Sequence, residues 1–189
     1  YGSEFSKTID GIWPIANDEI LSILFIKIVS SQIVTDIVGF HLYFSGYYNH
    51  SGNYETIEYI DNDEELIITN CDQILKWDSN KFLYEIKNKN VDGCVVLYKS
   101  NDIKNSYAEI IDEKIINIVE KNVVSDNALV GVHYWKKGKD FVKSAKQLLS
   151  NHSWTNKECY ISETFNFLIK EGKIIHPYKI SNNEYICLG

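Results

Sequence analysis

Two places in the chain combine residue types that could handle a phosphorylated ligand. The first is Leu66-Ile67-Ile68-Thr69-Asn70-Cys71-Asp72-Gln73, a β-branched apolar run that stops in a polar tip charged only at Asp72. Such a run suits a strand buried on both faces of a parallel sheet. In open α/β sheets, ligands gather just beyond the carboxyl ends of the strands. A single carboxylate there suits a hard cation such as Mg²⁺; the plainer role for Asp72 is to cap a turn. The second place runs from Ile118 to Trp135, where a strand ends in Glu120-Lys121 and a later strand carries Gly131 at its middle. Lys121 could meet a phosphate as a point charge; the plainer role for Glu120-Lys121 is an exposed pair of small energetic weight. A glycine inside a strand signals close approach by a ligand or another backbone.

The elements that must position these residues follow from periodicity. Residues 18–31 carry Ile20, Leu21, Leu24, Phe25, Ile28 and Val29, which predicts a helix with a broad apolar face. A strand is expected over 37–44, a loop over 45–53 and a short helix over 54–60. Trp77-Asp78-Ser79-Asn80 reads as a helix start, with an amphipathic helix over 79–89 through Phe82, Leu83 and Ile86. Cys94 to Tyr98 reads as a strand. Residues 106–111 and 114–120 read as a hairpin around Asp112-Glu113, and 128–135 as a further strand. Helices are expected over 140–149 and 158–170, the second closed by Gly172. Two final strands are expected over 174–180 and 185–188. Early alternation of helix and strand, followed by hairpins, predicts a single α/β domain with helices covering a mixed, mostly parallel sheet.

Composition narrows the function. The chain has 189 residues, 44% hydrophobic and 24% charged, with a net charge of -7. That is enough for one domain with a sizeable core, and too acidic for non-specific nucleic-acid binding. Four dispersed cysteines without a CxxC pair argue against zinc and for a reduced, cytoplasmic protein. No stretch is long and apolar enough to span a bilayer. The absence of methionine means that the chain as written is not a complete reading frame. Gly2-Ser3-Glu4-Phe5 is also what two adjoining cloning sites would encode. The five histidines have no metal spacing; His133 is read as structural or, less simply, as facing a sugar edge. Lys136, Lys137 and Lys139 read as a solvated turn.

Over residues 59–189 the chain resembles the sugar-phosphate nucleotidyltransferases, the sugar-nucleotide pyrophosphorylase superfamily, and most of all the capsule or surface-polysaccharide type. The pieces that carry the resemblance come in the family's order. Ile67 to Gln73 is similar to the strand that ends in a metal-binding aspartate. Ser106-Tyr107-Ala108-Glu109-Ile110 resembles the segment flanking the sugar. Val119-Glu120-Lys121 resembles the Glu-Lys motif, and Asn127 to Trp135 the strand after it. Tyr160-Ile161-Ser162-Glu163-Thr164-Phe165-Asn166 resembles a helix with acidic and Asn residues near the sugar, and Tyr185 to Gly189 the closing strand.

The resemblance implies a Rossmann-like three-layer domain of the glycosyltransferase-A type. It also implies transfer of a nucleotidyl group from an NTP to a sugar 1-phosphate, with Mg²⁺ and release of pyrophosphate. Asp72 would bind the metal, Lys121 the attacking phosphate and Glu120 the sugar hydroxyls; Tyr107 would line the sugar pocket and Gln73 would contact substrate. Two departures stand out. No residue matches the arginine of the family's glycine-rich loop; Gly2 to Lys7 is a damaged remnant of that loop or a vector-derived addition. Cys187 stands near where many members carry a second metal-binding aspartate, and a thiol suits Mg²⁺ poorly. A catalytically silent regulatory or assembly module, and a metal-dependent glycosyltransferase, are the alternative readings. The oligomeric state, a homo-oligomer included, is left open.

Overall fold

The structure is a computed structural model that describes residues 25–26, 60–70, 73–150 and 160–188. The expected strand over 37–44, the loop over 45–53 and all but the last residue of the expected helix over 54–60 lie outside these residues. Ile60 itself is helical. Among the described residues no helix is long and apolar enough to cross a membrane.

In chain order the strands are β1 (Phe25–Ile26), β2 (Leu66–Thr69), β3 (Gln73–Leu75), β4 (Gly93–Lys99), β5 (Ser106–Ile111), β6 (Lys114–Glu120), β7 (Asn127–Trp135), β8 (Ile175–Lys179) and β9 (Tyr185–Cys187). The helices are α1 (Ser79–Lys89), α2 (Gly138–Ser150) and α3 (Thr164–Lys170), with short 3₁₀ turns at Ile161–Glu163 and Asn182–Glu184. The main sheet has the order β1-β2-β7-β4-β8, and the β5–β6 hairpin joins it through β7. It is mixed, as expected. Among the described residues it is not mostly parallel: parallel pairing is confined to β1–β2 and β4–β8, because β7 runs against all three strands it pairs with, β2, β4 and β5. β7 is fed by a hairpin and not by a crossover helix, so nothing turns it parallel.

Strand alternation divides the core between two faces. On one, Cys94, Val96, Val130, Val132 and Tyr134 meet Phe82 and Ile86 of α1. On the other, Ile68, Val95, Leu97 and Trp135 meet Phe141 and Ala145 of α2 and Phe165 and Leu168 of α3. This is the expected three-layer stack. α1 begins where the sequence places it. The Asp78 carboxylate accepts from the N–H groups of Asn80 and Lys81, which would otherwise lack partners at the helix start. α3 ends in a Schellman motif: Gly172, at φ +80, donates to Ile169, and Lys173 donates to Leu168. The acidic turn before β2 and the lysine turn after β7 hold each other. Asp63 takes both Lys137 (2.8 Å) and Lys139 (2.7 Å), and Gly138 N–H donates to the Glu64 carbonyl.

Three expectations are corrected. Phe25–Ile26, inside the helix expected over 18–31, is a strand parallel to β2. A continuous apolar run fits both periods, and pairing with a buried strand decides the matter. The helix expected over 158–170 begins later. Tyr160 is extended, a 3₁₀ turn follows, and the α-helix covers only Thr164–Lys170. The Glu163 carboxylate accepts from Tyr160 N–H at 3.1 Å, which fixes the start of that turn. Finally, Gln73 lies in a short strand and not in a polar tip, because β3 finds a partner in β9 more than a hundred residues on, which no local pattern announces.

Candidate functional site

The site is organised by one border of β7. The second half of that border pairs with β2, up to Thr69 opposite Val132. Its first half pairs with β5, at Tyr107 opposite Ala128. β2 and β5 therefore follow one another along the same border, and the place where they part is Gly131. Three observations converge there. Gly131 has φ +87, a backbone that side chains rarely adopt. The β4–β7 register jumps around it: Val95 faces His133 but Leu97 faces Leu129, so β7 bulges. The Asn70 N–H donates to the Gly131 carbonyl at 3.0 Å, and the Asn70 amide fills the space where a Cβ would stand. The close approach inferred from a mid-strand glycine is real; the approaching group is the residue just after β2. Gly131→Ala is expected to lower stability by roughly 1–3 kcal/mol, from strain plus displacement of Asn70. In thermal melts, Asn70→Ala in the same chain should recover only the crowding part of that loss.

The end of β6 reaches this place through β5. Ser106, the first residue of β5, faces Glu120, the last of β6. The hairpin that brings them together is tight, with Asp112 and Glu113 both at positive φ, as a two-residue turn of the mirror-image type requires. The Glu120 carboxylate accepts from the Ser106 hydroxyl, and Ser162 from the 3₁₀ turn lies 3.5 Å from the same oxygen. The two serine hydroxyls are 3.4 Å apart. Glu120 is half-buried, and burial raises its pKa above the usual carboxylate range. The Ser106 hydrogen bond and the Lys121 charge act in the opposite direction, while Glu163 adds to the rise.

Lys121 follows in a left-handed conformation, φ +50, with its N–H on the Asn105 carbonyl at 3.1 Å. Its ammonium donates to the Tyr160 hydroxyl and lies 4.7 Å from that ring's centre. The turn thus presents an exposed cation beside a half-buried carboxylate and two hydroxyls. That set can hold a phosphate and the hydroxyls next to it.

The other residues expected at the site are distributed differently. Asp72 lies outside the described residues. Gln73, next in sequence, donates from Nε2 to Thr69 Oγ1 at 3.2 Å, and its buried Oε1 has no hydrogen-bond partner among the described residues. It faces Cys187 across the β3–β9 pair. No group of three His, Cys, Asp or Glu among the described residues could hold a metal. Tyr107 is corrected: it is fully buried, and its hydroxyl donates to the Asp102 carbonyl at 2.7 Å. It stands behind the turn 102–105 on which Lys121 rests, and does not line an opening. His133 is buried beside the stacked rings of Trp135 and Phe165, each 6.0 Å away, and burial pushes its pKa down to about 4. It is neutral near pH 7 and structural. The sequence reading assigned no role to Ser106, Ser162 or Tyr160. Counting back from the hairpin tip sets Ser106 opposite Val119; a bulge between Glu109 and Ile110 moves it opposite Glu120. Ser162 and Tyr160 come from about forty residues away and leave no local signal.

No protein-family model matches the chain, and no curated protein matches it. Solved structures do. The nucleoside-diphosphate-sugar pyrophosphorylase from Vibrio cholerae RC9 is 22% identical, with a TM-score of 0.56 over 66% of this chain and 51% of its own. A protein described as a glucose-1-phosphate thymidylyltransferase from Bacillus anthracis, in complex with sucrose, is also 22% identical. Its TM-score is 0.52 over 66% of this chain and 49% of its own. The chain thus spans about half the length of the proteins it matches. At this identity the likeness is one of architecture: the described chain carries the mixed-sheet, three-layer α/β fold of these sugar-nucleotide pyrophosphorylases.

Proposed function

We propose that the chain is a sugar-phosphate nucleotidyltransferase domain, moving a nucleotidyl group from an NTP to a sugar 1-phosphate or similar metabolite and releasing pyrophosphate. A role in supplying capsule or surface-polysaccharide synthesis belongs to the same reading. The observation that carries it is the junction on β7. There the end of β2, just before Asp72, and the end of β6, with Glu120 and Lys121, come to one short stretch of one strand, 128–132.

In this reaction the protein needs to position two phosphates and neutralise charge more than to move protons. Lys121 binds the phosphate of the sugar and aligns its oxygen with the α-phosphorus of the NTP. Glu120, held by Ser106 and Ser162, accepts from sugar hydroxyls. Its partial burial makes those bonds stronger than they would be in water. In this reading Asp72 would hold Mg²⁺ together with the substrate phosphates, since Mg²⁺ in such sites keeps few protein ligands. Gln73, next in sequence, has a buried Oε1 without a hydrogen-bond partner among the described residues. When bound, the ion neutralises the developing charge on the phosphates.

The test is pyrophosphate release from each NTP in turn, with a panel of sugar 1-phosphates and Mg²⁺. Release with one pair supports the reading, and silence with every pair from the verified full-length protein favours a silent nucleotidyltransferase-like module. The thiol of Cys187, opposite Gln73, is the observation on that second side. Asp72→Ala is expected to weaken Mg²⁺-dependent nucleotide binding at least about tenfold, seen by calorimetry with and without the ion. Unchanged binding would remove Asp72 from the site.

A further inference from the structure

β6 is open along one border. β5 covers one side, and among the described residues no strand covers the other. On that uncovered side the main-chain groups of Ile118 are nevertheless satisfied. Its N–H donates to Asn166 Oδ1 at 2.9 Å, and its carbonyl accepts from Asn166 Nδ2 at 2.8 Å. A single carboxamide thus makes the pair of bonds that a neighbouring strand would make. The chain uses the device elsewhere: Asn182 does the same to both main-chain groups of Lys99, just past the point where β8 leaves β4. At Lys99 the effect is to finish a strand. At Ile118 the strand goes on for two residues into the proposed substrate site.

We propose that Asn166 is a positioning residue: its amide stands in for a strand on the border of β6 and thereby fixes where Glu120 and Lys121 leave the sheet. This rests on the reading of Glu120 and Lys121 as substrate-binding groups. Ile118 and Glu120 are two apart and share a face of β6. Ile118 is buried, so its side chain and main chain are both gripped from the α3 side. The turn that leads into α3 also supplies Ser162 to Glu120 and Tyr160 to Lys121. One rigid segment, 160–166, therefore holds β6 at three successive places: backbone at 118, carboxylate at 120, ammonium at 121. Removing the amide leaves a buried N–H and carbonyl without partners, and the end of β6 must shift or admit water to satisfy them.

Two readouts separate positioning from mere stability, in Asn166→Leu, which keeps the bulk and loses both bonds. The first needs no substrate. In protein labelled with ¹³C-glutamate, the Glu120 carboxyl is titrated by NMR and assigned through its absence in Glu120→Gln. The groups facing it are Ser106, Ser162, Lys121 and Glu163. In the unsubstituted chain its midpoint should lie above that of ordinary glutamate; in Asn166→Leu it should fall back toward it, because the loosened strand end lets water in. The second readout is kinetic: KM for the sugar phosphate should rise about tenfold with kcat within about threefold. A folded Asn166→Leu with an unchanged Glu120 midpoint overturns the inference. If Asn166→Leu does not fold, Asn166→Ala takes its place; it loses both bonds without adding a charge near Glu120, and the same outcomes decide. Failure of the parent chain to release pyrophosphate with any pair would count against the proposed function alone, since the titration still judges Asn166.

Discussion

Replacing Lys121 with methionine is expected to lower kcat/KM for pyrophosphate release about 100-fold, the order lost when one preorganised donor to developing charge is removed. Methionine keeps the length and the flexible stem, so the variant deletes the charge and little else. The expectation rests on placement. Lys121 is held at φ +50, a conformation that costs a non-glycine residue energy. Its N–H is pinned to Asn105, and its ammonium is drawn onto Tyr160. Three constraints on an exposed surface lysine exceed what a solvated pair requires. Lys121→Arg should restore only part of the activity, because a planar fork does not replace a compact point charge at one position. Steady-state kinetics with saturating NTP and varied sugar phosphate gives the answer. Activity of Lys121→Met close to that of the unsubstituted chain would place the phosphate elsewhere.

Trp135→Ala is expected to be the most damaging single change to the fold, at about 3–5 kcal/mol. Trp135 is fully buried at the end of β7. Its ring stacks on Phe165 of α3, with centres 4.6 Å apart and planes 8° from parallel, and leans on Phe141 of α2 at 4.8 Å. One side chain thus joins the sheet to both helices of that layer, and deleting it opens a cavity that neither helix can close alone. A melting-temperature fall of roughly 10 °C follows for a domain of this size. Trp135→Phe should cost much less. The indole N–H has no hydrogen-bond partner among the described residues, so phenylalanine removes an unsatisfied donor while keeping most of the ring. Thermal denaturation followed by circular dichroism checks both.

Much of the sheet was legible because its signals are local. The β5–β6 hairpin spans the residues that the sequence assigns to it, because a two-residue turn lies between two clear strands; the bulge between Glu109 and Ile110, which shifts the register by one, was not legible. α1 was equally clear from Asp78 and the spacing of Phe82 and Ile86. Glu120 and Lys121 were found as residues at a strand end. What surrounds them was not. The resemblance set the segment 160–166 near the sugar, but not that Ser162, Tyr160 and Asn166 grip the end of β6, because their own neighbourhood names no strand. β1 was misread because a buried strand and a buried helix draw on the same apolar residues. Tyr107 was misplaced for a related reason: an aromatic beside a site can line it or support it from behind, and the difference lies in packing that the sequence does not display.

The way β2 and β5 queue along one border of β7 limits how the distance between their ends can change. Strand pairing moves in steps of two residues if inward side chains are to stay inward. The spacing between the two strand ends is therefore quantised, at several ångströms per step, and each step would rearrange the bulge at Gly131 as well. Side chains and loops around the two strand ends are exchanged much more easily, with that spacing left untouched.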